Sequence, residues 1–283
     1  MTKDAASLPI VLVPLGADED ALDACLGALD AGTPAGTRVW LADDAQSGPR
    51  TTAIVERWLA GTALQAAHTR RSAPIGEAAH VDEALRACGD ADVVVLAADA
   101  RPTPGWLLQL AACLRRDPSI ATATPWSNAG EGASWPRIGE LSDISASTSG
   151  LLADACLQLP ATHPELPAAV AHAVLLRGAA RTGAGGLDAA SFRSWQAALI
   201  DLSLRLAGHG WRNVLCERAF VLRERESAAA DGDMDALSVR WPGWHARIAR
   251  FLMDDPLHGA REQLGAELAR LRQLPPQADL FAP

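Results

Sequence analysis

Three apolar runs, LPIVLVPL (8–15), TRVWLADDA (37–45) and ADVVVLAAD (91–99), constrain this chain more than any other feature. They are apolar on nearly every residue rather than on alternate ones, so each strand has to be covered on both faces. Between them lie segments of helical period. In DEDALDACLGALDAG (18–32), Ala21, Cys25, Leu26 and Leu29 share one face. TTAIVERWLAGT (51–62), GEAAHVDEALRACG (76–89) and GWLLQLAACLRRD (105–117) also read as helices, the last leading into SIATATPWSN (119–128). Such alternation predicts an α/β domain with a parallel sheet between two helical layers. Ligands of such sheets bind beyond the carboxyl ends of the strands, which here are Pro14 to Ala17, Ala42 to Ala45 and Ala97 to Arg101.

The turn after the first run, PLGADED, argues against the common phosphate cradles: it has neither GxGxxG nor GxxxxGK[ST], and it puts acids where a pyrophosphate would sit. With a net charge of −9 over 283 residues and no clustered Lys and Arg, no nucleic-acid partner is expected. No uncharged apolar run reaches the roughly 18 residues of a membrane span, and MTKDAASLPIVLV lacks the basic-then-apolar layout of a signal peptide, so the expected location is cytoplasmic. Cys25, Cys88, Cys113, Cys156 and Cys216 are widely spaced, with no CxxC and no adjacent His, which predicts small core residues rather than a zinc site or a disulfide framework. RTGAGG (181–186) predicts a turn. SAAADGDMDA (227–236) predicts a linker, dividing the chain into a domain over 1–226 and a tail over 227–283. In that tail Leu264, Leu268 and Leu271, at i, i+4 and i+7, form an apolar stripe suited to packing on the domain.

The order of the motifs carries further information. LPIVLVPLGADEDALDACLGALDAGTPAGTRVWLADDA, ADVVVLAADARPTPGWLLQL, SIATATPWSNAGEGASWPRI, GLDAASFRSWQAALIDLSLRLAGHGWRNVLCERAFV and RWPGWHARIARFLMDDPLHGAR follow one another. Together they resemble bacterial family-2 glycosyltransferases of the GT-A fold, a rhamnosyltransferase-like subgroup in particular, over almost the whole chain. The resemblance implies the Rossmann-like three-layer α/β sandwich of nucleotide-diphospho-sugar transferases with a C-terminal helical extension. It also implies a nucleotide-diphosphate sugar as ligand, a glycan or protein as acceptor, and a place in bacterial glycan or protein glycosylation.

Residue by residue, the resemblance gives Pro14, Asp43, Asp44 and Asp99 to the nucleotide. A carboxylate at a strand end can accept from a base N–H and from ribose hydroxyls; a competing reading has Asp43 and Asp44 solvating a turn and capping the helix near Thr51. The family's metal motif, two acidic or amide groups two residues apart that hold Mn²⁺ or Mg²⁺, is degenerate here as Ala97-Ala98-Asp99. Asp99 alone makes a weak metal ligand. A histidine that often completes that site corresponds to Arg223, which cannot ligate a metal. The acid pair that usually supplies the general base corresponds to Ala198 and Leu199, neither able to take a proton. Asp201 remains as a weak catalytic candidate, with helix anchoring through Arg205 at i+4 as its alternative.

Cations can stand in for a metal against a departing diphosphate. On that reading Arg101, Arg223 and Arg225 are phosphate or sugar contacts, with His172 or Glu131 as bases; the competing reading of His172, inside the apolar run AAVAHAVLLRG, is a core or rim histidine. Trp126, Trp135 and Asn128 fall in the loop that the family places beside sugar and acceptor, and either Trp could stack on a sugar or anchor the loop. The expectation is a glycosyltransferase-like protein with impaired or no catalysis. Its alternative is a silent pseudoenzyme acting as a sensor or as the assembly partner of an active glycosyltransferase.

Overall fold

The computed structural model describes residues 8–16, 21–129, 132–224 and 229–273. Its strands are β1 (Ile10–Leu15), β2 (Arg38–Asp43), β3 (Gln65–Arg70), β4 (Val93–Leu96), β5 (Ala100–Pro102), β6 (Ile120–Trp126), β7 (Ala173–Leu176) and β8 (Arg212–Arg223). Its helices are α1 (Leu22–Gly32), α2 (Pro49–Leu59), α3 (Glu77–Ala87), α4 (Trp106–Arg116), α5 (Ala146–Gln158), α6 (Gly178–Gly183), α7 (Trp195–Gly208), α8 (Asp233–Arg240), α9 (Trp244–Asp254) and α10 (His258–Gln273).

Strand alternation sorts the apolar runs into two cores. Val11, Val13, Leu41, Val94 and Leu96 point to one side of the sheet, where they meet Leu22, Cys25, Leu26 and Leu29 of α1 and Leu107 and Leu110 of α4. Leu12, Val93 and Val95 point to the other, against Val81 and Leu85 of α3 and Leu199 and Leu202 of α7. The sheet is thus a filled middle layer, as the uninterrupted apolar runs require. Burying a single leucine of this kind contributes on the order of 2 kcal/mol.

The eight strands run in the order β3-β2-β1-β4-β7-β6-β8-β5. The expected all-parallel sheet is corrected in one respect: β7 runs antiparallel to both β4 and β6, and β5 runs antiparallel to β8. The direction of a short strand buried on all residues leaves no trace in its composition. β3, QAAHTR, went unread because it is a polar edge strand with no apolar run, exposed at four of its six positions or nearly so.

Helices α8, α9 and α10 share cores with earlier elements. Leu264 and Leu268 of α10 are buried with Leu152 and Cys156 of α5 and with Phe220 of β8, and Leu237 of α8 and Trp244 of α9 join the α7 core. The expected linker is shorter than residues 227–236, since α8 begins at Asp233; Ser227 and Ala228 lie outside the described residues. The Asp233 carboxylate fixes that start by accepting from Ser194 N–H at 2.7 Å and Ser194 Oγ at 2.6 Å. RTGAGG is partly helical: α6 runs to Gly183, and the turn follows through Gly185 and Gly186 with φ of 82° and 78°. A Cβ on Gly186 would lie 2.7 Å from Asp82 Oδ1, so both backbone sign and space ask for glycine there.

Candidate functional site

β2 ends at Asp43, and the two acids there have different surroundings. Asp44 accepts from Ile75 N–H at 2.9 Å, from Gly76 N–H at 3.0 Å and from Gln46 Nε2 at 3.1 Å, so it clamps the turn that starts α3. The capping alternative expected Asp44 at α2; it holds the entry to α3 instead. Asp43 is 1% exposed and receives Ser47 N–H at 3.4 Å on Oδ1. Its Oδ2 has no hydrogen-bond donor among the described residues. Arg70 Nε stands 3.6 Å away and His68 Nε2 3.9 Å away, attracted but beyond hydrogen-bond length, and His68 Nε2 is likewise without a partner. Both come from β3, the strand the sequence did not reveal. Pro14 lies one strand over, opposite Ala42; the β1–β4 pairing ends at Leu12 and Val95, so its missing N–H breaks no ladder bond on that side.

The second strand end is that of β4. After Leu96 come Ala97, Ala98 and Asp99, and β5 then pairs antiparallel with β8 so that Ala100 lies opposite Arg223. This register carries Arg223 to Asp99: its Nε lies 3.3 Å from Oδ1 and 3.1 Å from Oδ2, with the side chains only 9% and 14% exposed. Asn128 holds the arginine's backbone from both sides, accepting Arg223 N–H at 2.7 Å on Oδ1 and donating Nδ2 to its carbonyl at 2.9 Å. Arg101 turns elsewhere, to Glu224 at 3.5 Å and to a cavity of about 420 Å³ lined by Thr103, Ile144, Ser149 and Leu222 among others.

Neither a protein-family model nor a curated protein matches the sequence. Solved structures do resemble the chain. GalNAc-T7, with UDP, GalNAc and Mn²⁺, matches with a TM-score of 0.62 at 12% identity over 93% of this chain and 55% of its own. The mannosyltransferase PcManGT from Pyrobaculum calidifontis, in complex with GDP-Man and Mn²⁺, matches at 0.57 and 17% over 96% of this chain and 77% of its own. TarS 1-349 from S. aureus, in complex with UDP-GlcNAc, matches at 0.53 and 15% over 92% and 71%. The fold is GT-A. The chain spans about half the length of GalNAc-T7, 55%.

Within this GT-A frame several candidate residues have their side chains buried or engaged with other parts of the chain. Trp126 is corrected as a sugar platform: it is wholly buried, and the Arg261 guanidinium of α10 faces its ring at 5.6 Å. Trp135 is also an anchor, edge-on to Phe220 and donating Nε1 to the Arg261 carbonyl at 3.3 Å. Asn128 makes its contacts with the chain, to Arg223 and to the Ser142 carbonyl, so it positions Arg223 instead of reaching a sugar. Ala198 and Leu199 lie fully buried in the α7 core. Asp201 is 0% exposed and accepts from Arg205 Nε at 2.8 Å, Arg240 at 3.1 Å and Trp241 Nε1 at 2.9 Å. That geometry pins α8 to α7 and encloses the carboxylate, as the anchoring alternative describes.

His172, just before β7, is buried with neither ring nitrogen hydrogen-bonded among the described residues. Burial, with Arg223 adding repulsion, pushes its pKa down to about 3, so the ring is neutral at physiological pH. Glu131 and Arg225 lie outside the described residues.

The residues present do not fit a divalent ion. Such an ion wants several oxygen ligands. Here Ala97 and Ala98 offer none from their side chains, and both oxygens of Asp99 face a guanidinium. Among the described residues no group of three or more His, Cys, Asp or Glu side chains is arranged to hold a metal ion. No helix among them is long and apolar enough to cross a membrane.

Proposed function

We propose that this chain is a glycosyltransferase-like protein that binds a nucleotide-diphosphate sugar at the carboxyl ends of β1, β2 and β4, with transfer impaired. The observation that carries the binding half is Asp43. A buried carboxylate oxygen without a donor, at the end of a strand where open α/β sheets take their ligands, calls for an external donor. A base imide N–H or a ribose hydroxyl supplies one, and the GT-A neighbours hold UDP, GDP-Man or UDP-GlcNAc.

Impaired transfer is supported by the burial of Ala198 and Leu199 in hydrocarbon where the resemblance asks for an acid pair. Losing a positioned base costs on the order of 10²–10⁴ in rate. A bacterial family-2, rhamnosyltransferase-like ancestry and a cytoplasmic setting belong to this proposal, as does a glycan or protein acceptor. The second reading, a silent sensor or assembly partner of an active glycosyltransferase, rests on the same core positions and differs only in having no turnover at all.

Calorimetric titration with UDP, dTDP and GDP tests the binding half. Binding of one of them, weakened in Asp43→Asn, is the expected result; no binding of any overturns the proposal. Release of free nucleotide from the matching nucleotide sugar in the presence of acceptor extracts then separates slow transfer from none.

A further inference from the structure

We propose that Arg223, held by Asp99, takes the place of a divalent cation at the end of β4, so that the chain grips the diphosphate of its ligand without metal. The inference rests on the nucleotide-sugar reading above and concerns how that same site handles charge.

The charge count is the first reason. Where both groups of the motif are acids, they and a divalent ion sum to zero, and so do one acid and one guanidinium. Removing one carboxylate while introducing Arg223 therefore keeps the net charge of the site. Ala97 and Arg223, two positions at which the chain departs from the motif of the family it resembles, are far apart in sequence, and the β5–β8 register brings Arg223 opposite Ala100 and onto Asp99, two residues after Ala97.

The second reason is preorganisation. A metal ion is held rigidly by its ligands, and a substitute has to be held as well. Arg223 is the last residue of β8; its N–H and C=O are both fixed by the Asn128 side chain, and its Nε is fixed by Asp99. Guanidinium is also the side chain best matched to phosphate oxygens, since its planar donors can be bidentate and it stays charged at any working pH. The neighbouring His172 is neutral, so the positive charge at this point belongs to the arginine.

The third reason is exclusion. A dication next to Asp99 would meet the guanidinium at close range, so metal binding requires Arg223 to leave Asp99 first.

The test uses the full chain. Affinity for UDP, GDP and dTDP is measured by calorimetry in excess chelator and again in saturating MnCl₂, and free Mn²⁺ is followed by electron paramagnetic resonance with and without protein. Affinities equal within about twofold and an undiminished Mn²⁺ signal are expected, while Arg223→Lys, which keeps the charge but loses the fork, weakens binding by about tenfold or more in both buffers. A nucleotide that binds about tenfold or more tighter with Mn²⁺ than with chelator overturns the inference while leaving the nucleotide reading intact. So does metal-independent binding that Arg223→Lys leaves unchanged. Absence of binding in both buffers overturns the nucleotide reading, and this inference with it. The chelator comparison needs no variant, so a poorly folded Arg223→Lys does not remove the test.

Discussion

The ends of β2 and β4 lie in the same sheet and both present aspartate, yet they solve opposite problems. At β2 the chain leaves Asp43 with an oxygen that no described residue satisfies, flanked at 3.6 Å and 3.9 Å by Arg70 and His68. At β4 it closes Asp99 with Arg223. An open acceptor suits a ligand that brings its own donors; a closed ion pair suits a place where a positive centre has to be present before the ligand arrives. The difference teaches that two aspartates at neighbouring strand ends of one sheet can be given opposite surroundings, one open and one ion-paired.

The comparison breaks most visibly at β4. Asp99→Ala takes the carboxylate away from a buried guanidinium and is expected to cost about 3 to 5 kcal/mol, whereas Asp99→Ala with Arg223→Met recovers most of it; urea unfolding of the two variants decides. If both single and double variants unfold like the parent, the pair is not a closed one. At β2, Asp44→Ala strips two backbone N–H groups of their acceptor and is expected to lower stability by about 2 to 3 kcal/mol on the same measurement. Its neighbour behaves differently. Asp43→Asn is expected to change stability by less than about 1 kcal/mol but to weaken nucleotide binding by about tenfold; equal affinity in calorimetry would remove Asp43 from the ligand.

The smallest effect is a pH dependence at the β4 end. The His172 pKa is pushed down to about 3 in the folded chain, below its ordinary value of 6.5. As pH falls, the unfolded chain takes the proton first, so this group's contribution is in place above about pH 6.5 and is lost progressively toward pH 3. About 1 kcal/mol should go between pH 6.5 and 5.5, and His172→Leu should flatten the stability curve there. A curve with the same slope in both proteins would place the titration elsewhere.

Much of the scaffold was legible in the chain because it is written in short-range pattern. The apolar runs gave β1, β2 and β4, and the period of Ala21, Cys25, Leu26 and Leu29 gave the helix observed as α1. β3 was not legible, since an exposed edge strand has no apolar signature, and with it His68 and Arg70 were missed. The loop tryptophans were ambiguous for a related reason: only the arrival of Arg261 from α10, 135 residues beyond Trp126, decides that the indole is covered.

The sequence by itself determined the layer architecture, where β1, β2 and β4 end, and the absence of acids at positions 97, 98, 198 and 199, because these depend on residue type and local period alone. Only the tertiary structure decided what each remaining acid does: Asp43 open, Asp44 clamping α3, Asp99 joined to Arg223, Asp201 pinning α8. A carboxylate's role is set by the donors within about 3 Å of it, and in this fold those donors come from strands and helices remote in sequence.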